Sequence, residues 1–360
     1  MSPRPDVPDG ISFDSVSRFF AEQVPGGDTA LRFELLSGGR SNLTYLVSGG
    51  GRKGGQSWVL RRPPLGHVLP TAHDMAREHR VLAALADTDV PVPRPFALCE
   101  DPDVNGAPFY VMEYREGVVL EADLPEGFAS SAEQRRRASL ALVDTLVALH
   151  AVDFEKLGLG DFGRPAGYLE RQVRRWTQQW QRSKTAELPV VDELLRRLGK
   201  ALPESSAPSI VHGDYRLGNM ALDRDDPGRV LAVFDWEMAT LGDPLADLGY
   251  TLIYWAEPGD PEGRQGVGSL PRVTRHPGFL SRAELVEEYA RRSGRDVHAV
   301  DFYRALALTK LAVISEGIWA RHLQGKTLGE GFRGMSRQTG QIAARALEIA
   351  EASDDPRLRS

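Results

Sequence analysis

The chain shifts from strand-rich to helix-rich near residue 116, and that shift limits the fold more than any other feature. Before it, short runs rich in β-formers dominate, at 31–36, 42–48 and 57–62. Glycine-containing breaks separate them, Ser37-Gly38-Gly39-Arg40-Ser41 and the stretch from Gly49 to Gly55. Residues 71–86 switch to helical spacing, with Met75, His79, Leu82 and Leu85 or Ala86 on one face and Glu78 nearby. Pro91, Pro93 and Pro95 end that helix and begin an extended stretch, and 109–114 reads as one more strand. Beyond the change the chain reads as helices over 132–150, 168–180, 190–202 and 337–352, with short strands and loops between Ile210 and Thr240 and a return to helix after Asp247. Residues 256–278, rich in Pro and Gly, read as an irregular loop. The prediction is an α+β chain of two domains: 1–115, a small sheet plus one helix, with 1–10 a flexible leader; and 116–360, mainly helical.

Composition narrows the function classes. Forty-four Lys and Arg against 50 Asp and Glu leave a formal charge of −6, which disfavours a non-specific nucleic-acid binder. The single cysteine, Cys99, excludes an internal disulfide and a zinc site built on cysteines. No apolar run approaches the roughly 18 residues of a spanning helix. The most apolar late segment, 305–320, is interrupted by Lys310 and Glu316. The N-terminal residues lack the apolar core of a secretory signal, so the expectation is a soluble, cytoplasmic chain with neither membrane nor nucleic-acid partner.

The chemistry concentrates in two places. In Val211-His212-Gly213-Asp214-Tyr215-Arg216-Leu217-Gly218-Asn219, a carboxylate and a carboxamide stand five residues apart on a predicted tight loop. Such an Asp can accept a proton from an attacking hydroxyl, and such an Asn can offer its oxygen to a magnesium ion. Sixteen residues further on, in Val233-Phe234-Asp235-Trp236, Asp235 follows an apolar strand. Two carboxylates and an amide, all hard oxygen donors, suit Mg²⁺ rather than zinc. Asp and Asn beside Gly also serve as ordinary turn formers, and it is the combined spacing that favours chemistry.

HGDYRLGN followed by VFDWEMATLGDPLADLG resembles the aminoglycoside phosphotransferase superfamily, a branch of the protein-kinase-like fold. GGRSNLTYLV, VLRRPP, REHRVLAAL and LGDPLADLGY further resemble the kinase-like domains related to those fused to acyl-CoA dehydrogenases. The resemblance runs from about Leu31 to Tyr250 and implies a two-lobed fold that uses ATP (GTP is not distinguished) with Mg²⁺. It implies Asp214 as catalytic base, Asn219 and Asp235 as metal ligands, and Arg216 as a neutraliser of transferred charge, against a plain loop salt bridge. Gly38 and Gly39 would approach phosphates, against a hairpin turn. Glu78 would be the helix partner of the phosphate-binding cation, against one more exposed carboxylate. Glu113 and Tyr114, with Met112, would pass the adenine. The usual Lys is replaced by Arg61, or by Arg62 if the strand carries a bulge. Asp243 is expected to cap a helix near Pro244, Asp243 and Asp247 to serve as scaffold, and His212 to order the loop.

The acceptor is read from charge. Nine basic and five acidic residues lie between Asp161 and Lys200, a poor cradle for a polycationic aminoglycoside and a better one for an anion such as a hydroxyacyl-CoA. Trp176 and Trp180, four apart, read as core. The expected activity is Mg²⁺-dependent transfer of the ATP γ-phosphate to a small-molecule hydroxyl. The alternatives are a non-catalytic kinase-like binding module, an aminoglycoside phosphotransferase, or a nucleotidyl transferase. Oligomeric state is left open.

Overall fold

The computed structural model describes residues 7–37, 42–50, 55–65, 73–260, 271–325 and 335–360. The chain divides into two units, Met1–Gly117 with Leu231–Ala239, and Val118–Val230 with Thr240–Ser360.

The first unit is an antiparallel sheet of five strands. Helix α1 (Phe13–Gln23) precedes β1 (Leu31–Ser37), β2 (Leu43–Gly49) and β3 (Ser57–Arg62), and α2 (Met75–Leu85), β4 (Pro95–Cys99), α3 (Pro102–Asn105) and β5 (Phe109–Glu113) follow. The spatial order is β1-β2-β3-β5-β4. One face of the sheet is covered by α1: Val16 and Phe20 pack with Phe33, Tyr45, Val47, Trp58, Leu60, Phe109 and Val111. The edge-on aromatic pairs Phe20–Phe33 and Phe20–Trp58, with ring centres 6.2 and 5.8 Å apart, knit this layer. Helix α2 starts at Asp74, whose side chain accepts the Arg77 N–H at 2.9 Å. It packs on β4 and β5, burying Met75, Val81, Leu82 and Leu85. The sequence pattern missed α1, because its apolar residues are mostly aromatic and lie beside a proline-rich stretch. It read β4 only as an extended segment.

The second unit opens with β6 (Val118–Val119) and continues through α4 (Ala132–Ala151), α5 (Tyr168–Ser183) and α6 (Pro189–Lys200). The strands β7 (Ser209–Val211), β8 (Met220–Leu222), β9 (Val230–Val233) and β10 (Thr240–Gly242) follow, then α7 (Leu245–Tyr254), α8 (Arg282–Ser293), α9 (Val300–Leu323), α10 (Met335–Ala352) and α11 (Pro356–Arg359). β6 pairs with β8, and β7 with β10, both antiparallel. Residues 231–239, which include most of β9, belong to the first unit, where the Val233 N–H donates to the Pro91 carbonyl at 2.8 Å.

Helix α9 is the hub of the second unit. It is buried along most of its length and packs against α5, α6, α7 and α10. Its approach to α7 requires Gly249, where a Cβ would meet Tyr303 at 2.6 Å. Glu316, buried on α9, accepts both the N–H and the hydroxyl of Thr185 at 2.7 Å. Capping boxes at Ser131/Gln134 and Ser281/Glu284 start α4 and α8. Trp176 and Trp180 are core residues as expected, with the Trp180 indole N–H donating to Asp192 at 2.9 Å. Among the described residues no helix is long and apolar enough to cross a membrane.

Candidate active site

The first unit carries one cluster of expected site residues. The pleat of β3 sends alternate side chains to opposite faces, so its two arginines part company. Arg62 lies on the α1 side with Trp58 and Leu60, and its guanidinium donates to the Asn105 carbonyl at 2.9 Å and to that of Gly10. Arg61 lies on the α2 side, opposite Tyr110 of β5 in register. Its Nε stands 3.0 Å from the Glu78 carboxylate, and its Nη2 is 2.6 Å from Asp235 Oδ1 and 3.9 Å from Glu237 Oε2. Glu78 is therefore not an exposed helical carboxylate; it is 3% exposed and paired with Arg61.

Charge balance explains the titration of this cluster. Burial pushes the Glu78 carboxyl up to about 7, against the pull of Arg61. Burial opposes the Arg61 charge, yet Glu78, Tyr110, Asp235 and Glu237 together raise its pKa above the ordinary range. Asp235 adopts a left-handed backbone, φ +66°, a conformation that Asp tolerates better than most residues. This turn aims its carboxylate at Arg61. Asn42 donates its amide to Glu237 at 3.2 Å. Glu113 closes β5, where its N–H is engaged by the Arg94 carbonyl at 2.8 Å and its carboxylate by Arg115 at 2.9 Å. Tyr114 follows it, half-buried. Gly38 and Gly39 lie outside the described residues.

The second unit carries the other cluster, on the loop after β7. Gly213 has φ +85°, which a glycine adopts without strain and which turns the chain sharply. The N–H groups of His212 and Gly213 both donate to the buried Asp247 carboxylate at 2.7 Å. Burial works against the Asp247 charge, but bonds and charges from His150, His212 and Gly213 hold its pKa below the ordinary value. His212 is fully buried, and its Nδ1 accepts the Asp214 N–H at 3.2 Å, an ordering role as expected. Asn219 donates its amide to the Asp214 main-chain oxygen and to Oδ2, both at 2.8 Å. That pose leaves the Asn219 Oδ1 as the atom to offer a cation. Arg216 Nε stands 3.3 Å from Asp214 Oδ1, and its guanidinium lies over the Tyr254 ring at 5.2 Å. Asp214, Arg216 and Asn219 are thus in mutual contact.

The scaffold role expected of Asp247 agrees with its two bonds to the loop backbone. Asp243 does accept the Leu245 N–H at 3.1 Å near the start of α7, and also the Tyr303 hydroxyl at 2.8 Å. Lys310, noted only as a break in an apolar segment, donates to the Gly213 carbonyl at 3.1 Å. It lines a narrow cavity beside this loop with Tyr168, Trp176, Tyr250 and Tyr303.

The oxygen donors fit magnesium. Among the described residues no three His, Cys, Asp or Glu side chains form a metal cage. Mg²⁺ needs none, since it commonly takes one or two carboxylates and completes its shell with water and phosphate.

Residues 32–303 match the family model described as the phosphotransferase enzyme family. The chain belongs to this family. It is 35% identical over 347 residues to acyl-CoA dehydrogenase family member 11 of Gallus gallus, covering 94% of this chain and 43% of that protein. A similar match to family member 10 of Mus musculus has 33% identity, covering 87% of this chain and 28% of the relative. The chain therefore spans less than half the length of these relatives. Among solved structures, a candidate aminoglycoside phosphotransferase from Ralstonia eutropha superposes with a TM-score of 0.80 at 33% identity, covering 95% of this chain and 99% of its own. Choline kinase from Cryptosporidium parvum superposes at 0.61 with 12% identity over 93% and 94% of the two chains, which shows the fold alone. The fold is kinase-like, α+β, with a small antiparallel sheet and a larger helical portion.

Proposed function

We propose that the chain transfers the γ-phosphate of ATP, in a Mg²⁺-dependent reaction, to a hydroxyl of a small-molecule acceptor. The observation that carries this reading is the contact set Asp214–Asn219–Arg216 on a loop whose backbone is pinned by Asp247. Asp214 accepts the hydroxyl proton as the acceptor oxygen attacks. Asn219 holds that carboxylate by its amide and keeps its oxygen for the cation. Arg216 stands beside Asp214 to neutralise charge on the transferring group. Asp235 supplies the second oxygen donor, and Arg61, held by Glu78, binds phosphate oxygens in place of the usual lysine. When bound, Mg²⁺ supplies charge neutralisation at the β- and γ-phosphates.

The acceptor class we favour is anionic, such as a hydroxyacyl-CoA. The cavity beside Gly213 has Lys310 in its wall and no carboxylate among its described lining residues. Trp176 also borders a wider cleft of about 360 Å³ lined by Arg175, Arg182 and Arg321. Among the described lining residues of these two cavities a polycationic aminoglycoside meets cations and no carboxylate.

Transfer from radiolabelled ATP to a panel of hydroxyacyl thioesters, free hydroxy acids and kanamycin-type acceptors tests the reading. The expected result is Mg²⁺-dependent labelling of the anionic acceptors, lost in Asp214→Ala. Efficient labelling of aminoglycosides alone would overturn the acceptor class, and full turnover by Asp214→Ala would overturn the role of Asp214.

A further inference from the structure

Two cations and two tyrosines flank Asp214 in a continuous stack. Arg216 lies over the Tyr254 ring at 5.2 Å; Tyr254 and Tyr250, one turn apart on α7, have ring centres 5.2 Å apart; Lys310 Nζ lies 4.7 Å over the Tyr250 ring. Both ends of the stack return to the catalytic loop, Arg216 at the Asp214 carboxylate and Lys310 at the Gly213 carbonyl. Both polar groups of Gly213 are therefore held from outside the loop: the N–H by Asp247 at 2.7 Å, the carbonyl by Lys310 at 3.1 Å. A glycine at φ +85° has no side chain to restrict rotation of the peptide that carries Asp214, so that peptide is held by its own contacts, the carbonyl by Lys310 and the Asp214 N–H by His212 Nδ1 at 3.2 Å.

Lys310 is an expensive way to satisfy one carbonyl. Its ammonium lies deep enough that burial lowers its pKa, partly offset by Asp214 and Asp247, while Arg175 adds to the lowering. The residue is half-buried and lines the cavity. Among the described residues no carboxylate forms a salt bridge with it; the nearest acidic charges act at longer range. A half-buried ammonium with no carboxylate in salt-bridge contact is often no more stabilising than a well-packed apolar side chain. Stability alone does not account for it.

We propose that Lys310 is a positioning residue for Asp214, acting through the Gly213 carbonyl and the face of Tyr250. The proposal rests on the phosphotransferase reading above. The peptide between Gly213 and Asp214 sets where the carboxylate points, and misplacing a catalytic group by about 1 Å can cost on the order of a hundredfold in rate. Tyr250 serves as the platform on which the lysine rests, and burial together with the nearby Asp214 charge raises the pKa of its hydroxyl.

The test compares wild type with Lys310→Met, Lys310→Arg and Tyr250→Phe. Lys310→Met is expected to lower kcat about tenfold to a hundredfold with little change in the KM for ATP, since Lys310 acts on the position of Asp214 and not on the nucleotide. Lys310→Arg recovers much of that loss, because a guanidinium can donate to the same carbonyl and stack on the same ring. Tyr250→Phe keeps the ring on which Lys310 rests and is expected to stay close to wild type. A spectroscopic readout runs in parallel. The chain contains five Gly–Asp peptides, so labelling glycine carbonyl carbons with ¹³C and aspartate nitrogens with ¹⁵N isolates five signals. That of Gly213–Asp214 is identified by its loss in Asp214→Asn. It is expected to shift in Lys310→Met and to return toward its wild-type position in Lys310→Arg. Wild-type kcat in Lys310→Met, or a kcat loss with an unmoved Gly213 signal, overturns the proposal. Absence of turnover by the wild-type chain on every acceptor overturns the phosphotransferase reading and the positioning role with it, while the Gly213 signal still shows separately whether the contact exists.

Discussion

Arg61 is the residue on which the first cluster depends. One guanidinium stands between two carboxylates at 3.0 and 2.6 Å, with a third at 3.9 Å. Arg61→Met leaves Glu78 buried without its partner, and removing one member of such a pair costs about 3–5 kcal/mol. The pH dependence follows from Glu78. Its folded-state pKa, about 7, exceeds the ordinary 4.5, so the folded chain binds this proton more tightly than the unfolded chain. The associated stability is present below 4.5 and is lost as pH rises through about 7. Without Arg61 the carboxylate is still harder to ionise, so the deficit of Arg61→Met against wild type should be larger at pH 7.5 than at pH 5.5. Urea midpoints at the two pH values measure it, and an equal deficit at both would show that Glu78 is not the group left unpaired. Arg61→Lys would keep the charge but lose the fork that reaches Glu78 and Asp235 together, so it should recover only part of the stability.

At the scale of elements, α1 and the sheet beneath it hold β3 in the register that separates Arg61 from Arg62. Phe20 is fully buried and edge-packed on both Phe33 and Trp58. Phe20→Ala should destabilise the chain by about 3–5 kcal/mol, as large-to-small aromatic changes in a core do. Nucleotide binding should weaken in proportion to the unfolded fraction and no further. Equilibrium urea unfolding, with nucleotide titration under folded conditions, separates the two effects; a specific loss of nucleotide affinity in the folded variant would mean that α1 acts on the site itself. The loop after β7 depends in the same way on α7, which contributes Asp247 to its backbone and Tyr250 and Tyr254 to its flank.

For the whole molecule, ligand linkage is the most direct test of the proposed nucleotide site. A ligand that binds only the folded chain at about 100 times its dissociation constant stabilises it by roughly 2.7 kcal/mol. Thermal unfolding with ATP and Mg²⁺ together should show such a gain, with less from either alone. Asp235→Asn, which retains a residue type tolerant of the left-handed backbone at φ +66°, should lose the Mg²⁺-dependent part. An unchanged Mg²⁺ response in that variant would remove Asp235 from the metal site.

The motif spacing from His212 to Asp235 and the shift from strand-rich to helix-rich near residue 116 were sufficient by themselves to indicate the family and the α+β class. These are local features: a turn needs its glycine where the chain reverses, and a strand or helix shows its period in the residues that build it. Which of two adjacent arginines meets Glu78 is not local. Alternation places Arg61 and Arg62 on opposite faces in any strand, but only the packing of α1 on one face and α2 on the other decides which face holds the carboxylate. The same holds for Lys310. Along the chain it is a charge interrupting an apolar helix, 97 residues from the carbonyl it touches. Its meaning arises only when α9 packs against α7 and carries its ammonium to Gly213, because a half-buried cation is tolerated where tertiary structure brings it an acceptor.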